Sequence, residues 1–228
     1  MSRTIALSRM RLVSYVAAQR AWAPWLTALA LIFIAHAGGQ ARPNQAYAFS
    51  ATILFAVFGW QAKLVLDTEP DEQRMLSRVT VGSPARELVS GLLAAAVSGL
   101  PALVLGVFVP LAVGALDLRG PVWGWLAFGV WIHLLAIVCG VGVGALASRA
   151  LVRPTGWASL ILVAAPVLVL VLGSRDAVIA RLLVPPLFGA ADLEPPADLG
   201  AMAVVSLQAL AWAGVLIAVY AALRHRRS

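Results

Sequence analysis

The sequence predicts an all-α integral membrane protein with six transmembrane helices, in one domain that covers residues 1–228. Hydrophobic residues make up 61% of the chain and charged residues 12%, whereas a soluble domain has about 45–50% and about 25%. Apolar runs of about 20 residues, the length that crosses about 30 Å of hydrocarbon, recur along the whole chain. Basic residues cluster at the ends of these runs, as they do in membrane proteins.

Six apolar runs predict the transmembrane helices. They cover residues 21–38, 46–66, 88–113, 122–146, 156–172 and 201–223. Pro101 and Pro110 fall in the long third run and predict a kinked helix, because each proline removes a backbone hydrogen bond. Gly140, Gly142 and Gly144 give the fourth run a stripe of small residues suited to close helix contact.

The basic residues predict the orientation. With the amino terminus in the cytoplasm, the inner segments hold thirteen of the 17 lysine and arginine residues, and the outer segments hold four. Cytoplasmic loops carry the excess of such residues, and an even number of spans then places both termini in the cytoplasm. The expected location is the plasma membrane, which in a bacterium is the cytoplasmic membrane. The net charge of +7 therefore indicates contact with anionic membrane lipid and no nucleic-acid partner.

The amino-terminal segment, residues 1–20, predicts a helix that lies along the inner membrane surface. Ile5, Leu12 and Val16 share one helical face, and arginines are distributed around the rest. Arg9 falls close to the apolar face, so a disordered basic tail is the alternative.

The segment 67–87 is cytoplasmic in this topology and dense in both signs of charge. Thr68 and Pro70 are suited to cap and begin a helix over 70–80, and Gly82 to end it. Ser83 and Pro84 can then cap and begin the next span. The apolar and charged side chains of the predicted helix fall on opposite sides, with Met75, Leu76 and Val79 on one and Asp71, Arg74 and Arg78 on the other. A solvated connector between spans is the alternative.

The outer segment 174–200 contains an apolar run, residues 177–184, that is too short to cross a membrane. Two proline pairs follow it. One interpretation is a re-entrant or interfacial hairpin before the sixth span, because irregular backbone inside a membrane needs protein cover. The other is a proline-stiffened outer loop.

The sequence contains few residues that suggest a catalytic, metal or cofactor site. It has no H-E-x-x-H pattern, no G-x-S-x-G pattern and no G-x-x-x-x-G-K-[ST] loop, so we expect no catalytic, metal or cofactor site. His133 and His36 are the histidines in the apolar runs, and the expected role of His133 is a hydrogen bond to a neighbouring helix. Gln61 and Gln208 are expected to bond between helices as well. Cys139, the one cysteine, is expected to be a buried thiol.

The predicted architecture resembles the permease subunits of ABC transporters of the type-2 exporter class. The resemblance covers most of the chain as architecture: six spans, a basic amino-terminal helix, a charged helix between spans two and three, and a hairpin before span six. In sequence it rests on residues 66–95, LDTEPDEQRMLSRVTVGSPARELVSGLLAA. This stretch is similar to the family's acidic start, amphipathic helix, small-residue and proline turn, and third span. The outer loop between spans one and two is short, so the large extracellular domain of some relatives is absent.

The resemblance implies how the chain is powered. In that family the helix between spans two and three is a coupling helix, which docks into a groove on a separate nucleotide-binding ATPase subunit that holds ATP and Mg. The residues carried over to this contact are Glu69, Asp71, Glu72, Arg74, Met75, Leu76, Arg78 and Val79, with the three apolar ones as anchors and the charged ones at the rim. The family also requires a second permease, either another copy of the chain or a sister subunit, and the substrate path lies between the two.

The function expected from these features is export of a hydrophobic or amphipathic substrate, such as a drug, a peptide antibiotic or a lipid-linked molecule. Two other classes stay open at this point. One is a membrane scaffold or assembly factor that does not transport, and whose cytoplasmic helix binds another protein. The other is a lipid-modifying membrane enzyme in which His133 or His36 is catalytic.

Overall fold

The computed structural model of the protein describes residues 3–118, 122–173, 178–194 and 198–226, apart from the side chains of residues 71, 72, 178 and 181. These residues are mostly helical and form no strand, so the all-α prediction is confirmed. The helices are α1 (Arg3–Ala17), α2 (Trp22–Ala35), α3 (Pro43–Leu66), α4 (Asp71–Val81), α5 (Pro84–Ser98), α6 (Leu100–Ala112), α7 (Val122–Leu146), α8 (Thr155–Gly173), α9 (Val178–Leu182) and α10 (Leu199–His225), with a 3-10 turn at Phe188–Asp192.

Five helical segments are long and apolar enough to cross a membrane. They are α3, α5 and α6 taken as one, α7, α8 and α10. The first predicted span is shorter than expected, because α2 has 14 residues and at 1.5 Å per residue measures about 21 Å. It follows α1 after a bend of 77°, and only the pair counted together would make a sixth span. The structure thus shows a helical protein with five or six segments of membrane-spanning character.

The centre of the fold is the contact between α3 and α7. Gly59 of α3 lies against Gly140 and Gly144 of α7, where a Cβ on either α7 glycine would meet the backbone of α3. Gly142 faces Leu216 of α10 instead. The small-residue stripe therefore packs as predicted, since it lets two helices approach at backbone distance.

The third apolar run is one span with a break at Gly99. Proline at position 101 has no N–H, so the regular helical bond at that position is missing. Gly99 instead donates to the carbonyl of Ala96 at 3.1 Å, and helix resumes at Leu100. The interruption expected from Pro101 is present as the break between α5 and α6, whereas Pro110 lies inside α6 without ending it.

The amino-terminal helix α1 packs against α5 through a different face from the apolar one. Its buried side chains are Leu7, Ser8, Arg11 and Tyr15, whereas Ile5 and Val16 are exposed. The disordered-tail alternative is therefore wrong for residues 3–17. Of the predicted apolar face, Ile5 and Val16 are thus exposed and Leu12 is half-buried.

The segment before α10 covers the amino-terminal start of α3. In its described parts, 178–194 and 198, it contains α9 and the 3-10 turn, each of five residues. Asn44 at the start of α3 donates its side-chain amide to the carbonyl of Ala191 at 2.8 Å, and Trp212 of α10 donates to the carbonyl of Leu183 at 3.0 Å. Val184, Leu187 and Ala190 of this segment are buried. The predicted hairpin is thus a cap of two short helical turns, and its residues 174–177 and 195–197 lie outside the described part of the chain.

We predict that Gly144→Ala destabilises the protein. The added Cβ would meet the carbonyl oxygen of Gly59, would lie 2.6 Å from the Cβ of Ala62, and would lie 2.9 Å from the amide nitrogen of Lys63. Such overpacking costs about 1–3 kcal/mol of unfolding free energy. The measurement is thermal unfolding in detergent, followed by a thiol-reactive dye that reports exposure of the buried Cys139.

The matched control is Gly214→Ala in α10, where an added Cβ meets no atom within 4 Å. Because alanine has a higher helix propensity than glycine, this substitution should leave the unfolding temperature unchanged or raise it. Equal effects of the two substitutions would contradict the close α3–α7 contact.

Candidate functional site

Six segments of the chain meet at one end of the bundle, which we call the basic end. They are α1, the carboxyl end of α3, α4, the start of α5, the connection after α7, and the last turn of α10. Their charged side chains form an ion network that consists of Arg11, Lys63, Asp67, Glu69, Arg74, Arg78, Glu87, Arg149 and Arg224. All three carboxylates of this network are buried, so each depends on its cations for stabilisation.

Glu87, in the first turn of α5, is the most enclosed of the three. Its side chain is 1% exposed, and it accepts hydrogen bonds from Arg11 of α1, at 2.5 Å, and from Arg224 of α10. Arg78 of α4 lies 3.7 Å away. Two helices distant in the sequence, α1 and α10, and the adjacent α4 therefore meet α5 at one carboxylate.

Asp67, directly after α3, is the second centre. Lys63 donates to its carboxylate at 2.7 Å, and the backbone N–H of Arg149 donates to the other oxygen at 2.8 Å. The guanidinium of Arg149 also donates to the backbone carbonyl of Asp67 at 2.7 Å, and Arg74 of α4 donates to the carbonyl of Leu66 at 2.6 Å. These bonds satisfy the open carbonyl end of α3 and attach α4 to it.

Arg11 connects Glu87 to Glu69, which precedes α4. It donates to Glu69 at 2.7 Å and also to the backbone carbonyl of Glu87 and the hydroxyl of Ser90, both at 3.0 Å. Burial by itself lowers the pKa of Arg11, but the hydrogen bonds and charges of Glu69 and Glu87 outweigh burial and raise its pKa, so the guanidinium stays charged. Gly91 makes room for it, because a Cβ there would lie 2.7 Å from a guanidinium nitrogen.

The ion network fixes the orientation of α4. Arg74, Ser77 and Val81 face the rest of the chain and are buried, and Arg78 is half-buried. The apolar side chains Met75, Leu76 and Val79 consequently face outward and are 60%, 69% and 80% exposed. An amphipathic helix normally buries its apolar side. In α4 the charged side is buried instead, because the carboxylates that it must reach lie inside the protein.

The structure separates the residues predicted for the coupling contact into three groups. Met75, Leu76 and Val79 are exposed together, and Arg78 is partly accessible. Glu69 and Arg74 are 4% and 8% exposed, so their expected place at the rim of a contact surface is wrong: both are held inside the chain by Arg11 and by the end of α3. Asp71 and Glu72 begin α4, but their side chains lie outside the described part.

The helix boundaries around α4 follow the prediction with one exception. Gly82 ends the helix with a positive φ of 78°, and Ser83 caps α5 by accepting from the N–H of Arg86. Thr68 does not cap α4. Its hydroxyl donates back to the carbonyl of Leu64 at 2.9 Å, so this residue serves the end of α3.

Four central members of the ion network were not singled out from the sequence: Arg11, Asp67, Glu87 and Arg224. Glu87 carries a signal that could have identified it, since an acid in the first turn of an apolar span is costly unless it is paired. Its partners carry none, because Arg11 and Arg224 lie 76 and 137 residues away in the chain.

The polar residues of the apolar helices are placed for packing. His133 is fully buried, with Nδ1 donating to the carbonyl of Gly129 at 2.7 Å and Nε2 lying 3.2 Å from the hydroxyl of Ser50 on α3. The interhelical bond expected of His133 is confirmed. The bond expected of Gln61 is wrong, because its buried amide has no partner among the described residues. Cys139 is buried as predicted, and no group of metal-ligating side chains occurs in the described ranges.

No protein-family model, curated protein or solved structure matches the chain. The fold and the site together define a helical protein with apolar segments of membrane-spanning length, which presents an apolar helix surface at its basic end.

We predict that Glu87→Gln lowers the free energy of unfolding by about 3–5 kcal/mol, because it leaves the buried guanidinium groups of Arg11 and Arg224 without their shared carboxylate. The control is Glu194→Gln. Glu194 pairs with Arg42 at 3.7 Å, and both side chains are about two-thirds exposed, so its loss should cost less than about 1 kcal/mol. Comparable losses in the two variants, measured by thermal unfolding with the same dye, would show that the ion network is not a structural centre.

Proposed function

We propose that the chain is the permease half of an ATP-driven exporter of the type-2 ABC class, with ATP and Mg bound by a separate nucleotide-binding ATPase subunit. The observation that supports this function best is the outward apolar face of α4, formed by Met75, Leu76 and Val79. In this proposal six helices span the plasma membrane, both termini are cytoplasmic, and the basic end faces the cytoplasm.

The face of α4 has the chemistry of a protein contact. Burying an exposed aliphatic side chain of this size contributes about 1.5–3 kcal/mol, and a few such anchors commonly dominate the energy of an interface. The three residues lie on a helix whose other side is bonded to α1, α3 and α5. A partner subunit that docks on α4 therefore contacts an element already attached to several spans.

The ion network supplies the route by which a movement of α4 would reach the membrane part. Arg74 ties α4 to the end of α3, and Arg78 lies near Glu87 at the start of α5. Glu87 in turn is bound by Arg224 of α10. Because these bonds join the ends of three long helices, displacement of α4 by ATP-driven closure of the partner subunits would be transmitted to α3, α5 and α10 together.

A second permease subunit has surface available to it. In the most apolar stretches of α3 and α7, 67% of the residues are buried, against 11% in α8 and α10. The outer helices therefore face lipid or another subunit. In the proposed dimer the substrate path lies between two such halves, and its apolar walls suit a hydrophobic or amphipathic substrate such as a drug, a peptide antibiotic or a lipid-linked molecule.

Particular residues bear on the two other functional classes, the lipid-modifying enzyme and the membrane scaffold. A lipid-modifying enzyme based on His133 is disfavoured, because this imidazole is fully buried and bonded on both nitrogens. A membrane scaffold would use the same exposed face of α4 without an ATPase. The identity of the bound partner therefore distinguishes a scaffold from a permease.

Labelling of single introduced cysteines tests the proposed orientation, in which the basic end faces the cytoplasm. Val79→Cys at the basic end and Asp192→Cys at the opposite end are both exposed, and the native Cys139 is buried and should not react. In intact cells a membrane-impermeant thiol reagent should label position 192 and should label position 79 only after permeabilisation. Labelling of position 79 in intact cells would place the basic end outside and would overturn the proposed docking.

We predict that Met75→Asp combined with Leu76→Asp abolishes association with an ATPase subunit, because two charges replace the apolar anchors. The measurement is affinity purification of the tagged chain from its own membranes, with identification of a copurified chain that contains G-x-x-x-x-G-K-[ST].

The control is Ile179→Asp, which introduces a charge at a residue of similar exposure, 76%, away from α4. It should leave recovery of the ATPase unchanged. Unchanged recovery in the α4 variant contradicts the proposed contact, and capture of a partner without this motif favours the scaffold.

A further inference from the structure

A cavity opens at the basic end between α4, α5 and α10. It has a volume of about 440 Å³, within the range of sites for small molecules. Leu88, Val89 and Ala221 form an apolar wall, and Arg78, Arg224 and Ser83 supply polar groups. The cavity thus combines an apolar side with a cationic side at the basic end of the bundle.

The charge at this cavity is not balanced by the described residues. Among them, the part of the ion network next to the cavity sets three cations, Arg11, Arg78 and Arg224, against two carboxylates, Glu69 and Glu87, which leaves one positive charge in excess. Glu87 is the carboxylate nearest the cavity, and it is already bound by Arg11 and Arg224.

Arg78 is the least compensated of these cations. It reaches Glu87 only at 3.7 Å, its Nε has no hydrogen-bond partner among the described residues, and 25% of its side chain is exposed. A guanidinium is well suited to a phosphate group, with which it forms paired hydrogen bonds. The first turn of α5, which begins at Pro84 after the Ser83 cap, adds the positive end of a helix dipole at the same wall of the cavity.

We propose that this cavity binds the phosphate-bearing head group of an anionic phospholipid from the adjacent membrane leaflet. The guanidinium of Arg78 contacts the phosphate, Arg224 adds positive charge behind it, and the glycerol and upper acyl chains lie along Leu88, Val89 and Ala221. Basic pockets between helix ends at a membrane surface are typical sites for such lipids. Because Arg78 belongs to α4, the bound lipid would connect the membrane surface directly to that helix. The proposal does not depend on an ATPase partner.

Native mass spectrometry of the purified full-length chain in detergent tests this site. The probes are phosphatidylglycerol and phosphatidylcholine with identical acyl chains, added at equal concentration. We expect the wild type to retain phosphatidylglycerol at least several-fold more than phosphatidylcholine. Arg78→Gln should lower retention of phosphatidylglycerol about tenfold, and Arg78→Lys should restore part of it because the positive charge returns.

The matched control is Arg86→Gln, which removes an exposed arginine from the first turn of α5 that does not line the cavity. It should leave retention unchanged. Equal losses in Arg78→Gln and Arg86→Gln, or equal retention of the two lipids by the wild type, would overturn the proposal in favour of general attraction to a basic surface.

A second variant keeps the test valid if Arg78→Gln does not fold. Ala85 is exposed and lines the cavity, so Ala85→Trp fills the space without removing a charge and should also expel phosphatidylglycerol. Undiminished retention in this variant would contradict the site.

Inorganic phosphate at the same concentration as the lipid should not displace phosphatidylglycerol, because free phosphate lacks the acyl chains. Displacement of the lipid would assign the cavity to a soluble phosphate ligand instead.

Discussion

The carboxylate of Glu87 is the constraint on which the arrangement of the basic end depends. It is buried at the start of a long apolar helix, where an unpaired charge would be untenable, and it is bound by Arg11 and Arg224 from opposite ends of the chain. Replacement of such an ion pair by apolar residues is often neutral or stabilising in other proteins. The contribution of these bonds is therefore described best by their geometry: they hold α1 and α10 against the start of α5.

The same constraint explains why α4 is turned with its apolar side outward. Arg74 and Arg78 must reach the end of α3 and the neighbourhood of Glu87, and a helix of eleven residues cannot bury both of its sides in this position. Met75, Leu76 and Val79 are exposed as a result. This exposed apolar face is the surface on which the proposed contact with an ATPase subunit depends.

Much of the fold follows from local pattern. Residues 122–146 were predicted as a span and form α7 with the same bounds, because a run of apolar residues bounded by charged or breaking residues defines its own limits. Ser83 and Pro84 likewise identify the start of α5. The ion network does not follow from local pattern, since its bonds join residues up to 137 positions apart. The inward positions of Glu69 and Arg74 depend on those bonds. The family resemblance does not contain them, and it therefore placed both residues at the rim of the coupling contact.

The positions of the two arginines that bind Glu87 have a consequence for the order of assembly. Arg11 is synthesised before Glu87, whereas Arg224 follows it by 137 residues. Until α10 has been synthesised, Glu87 has just one of its two close partners. The basic end can therefore close around this carboxylate only after α10 has joined α1 and α5.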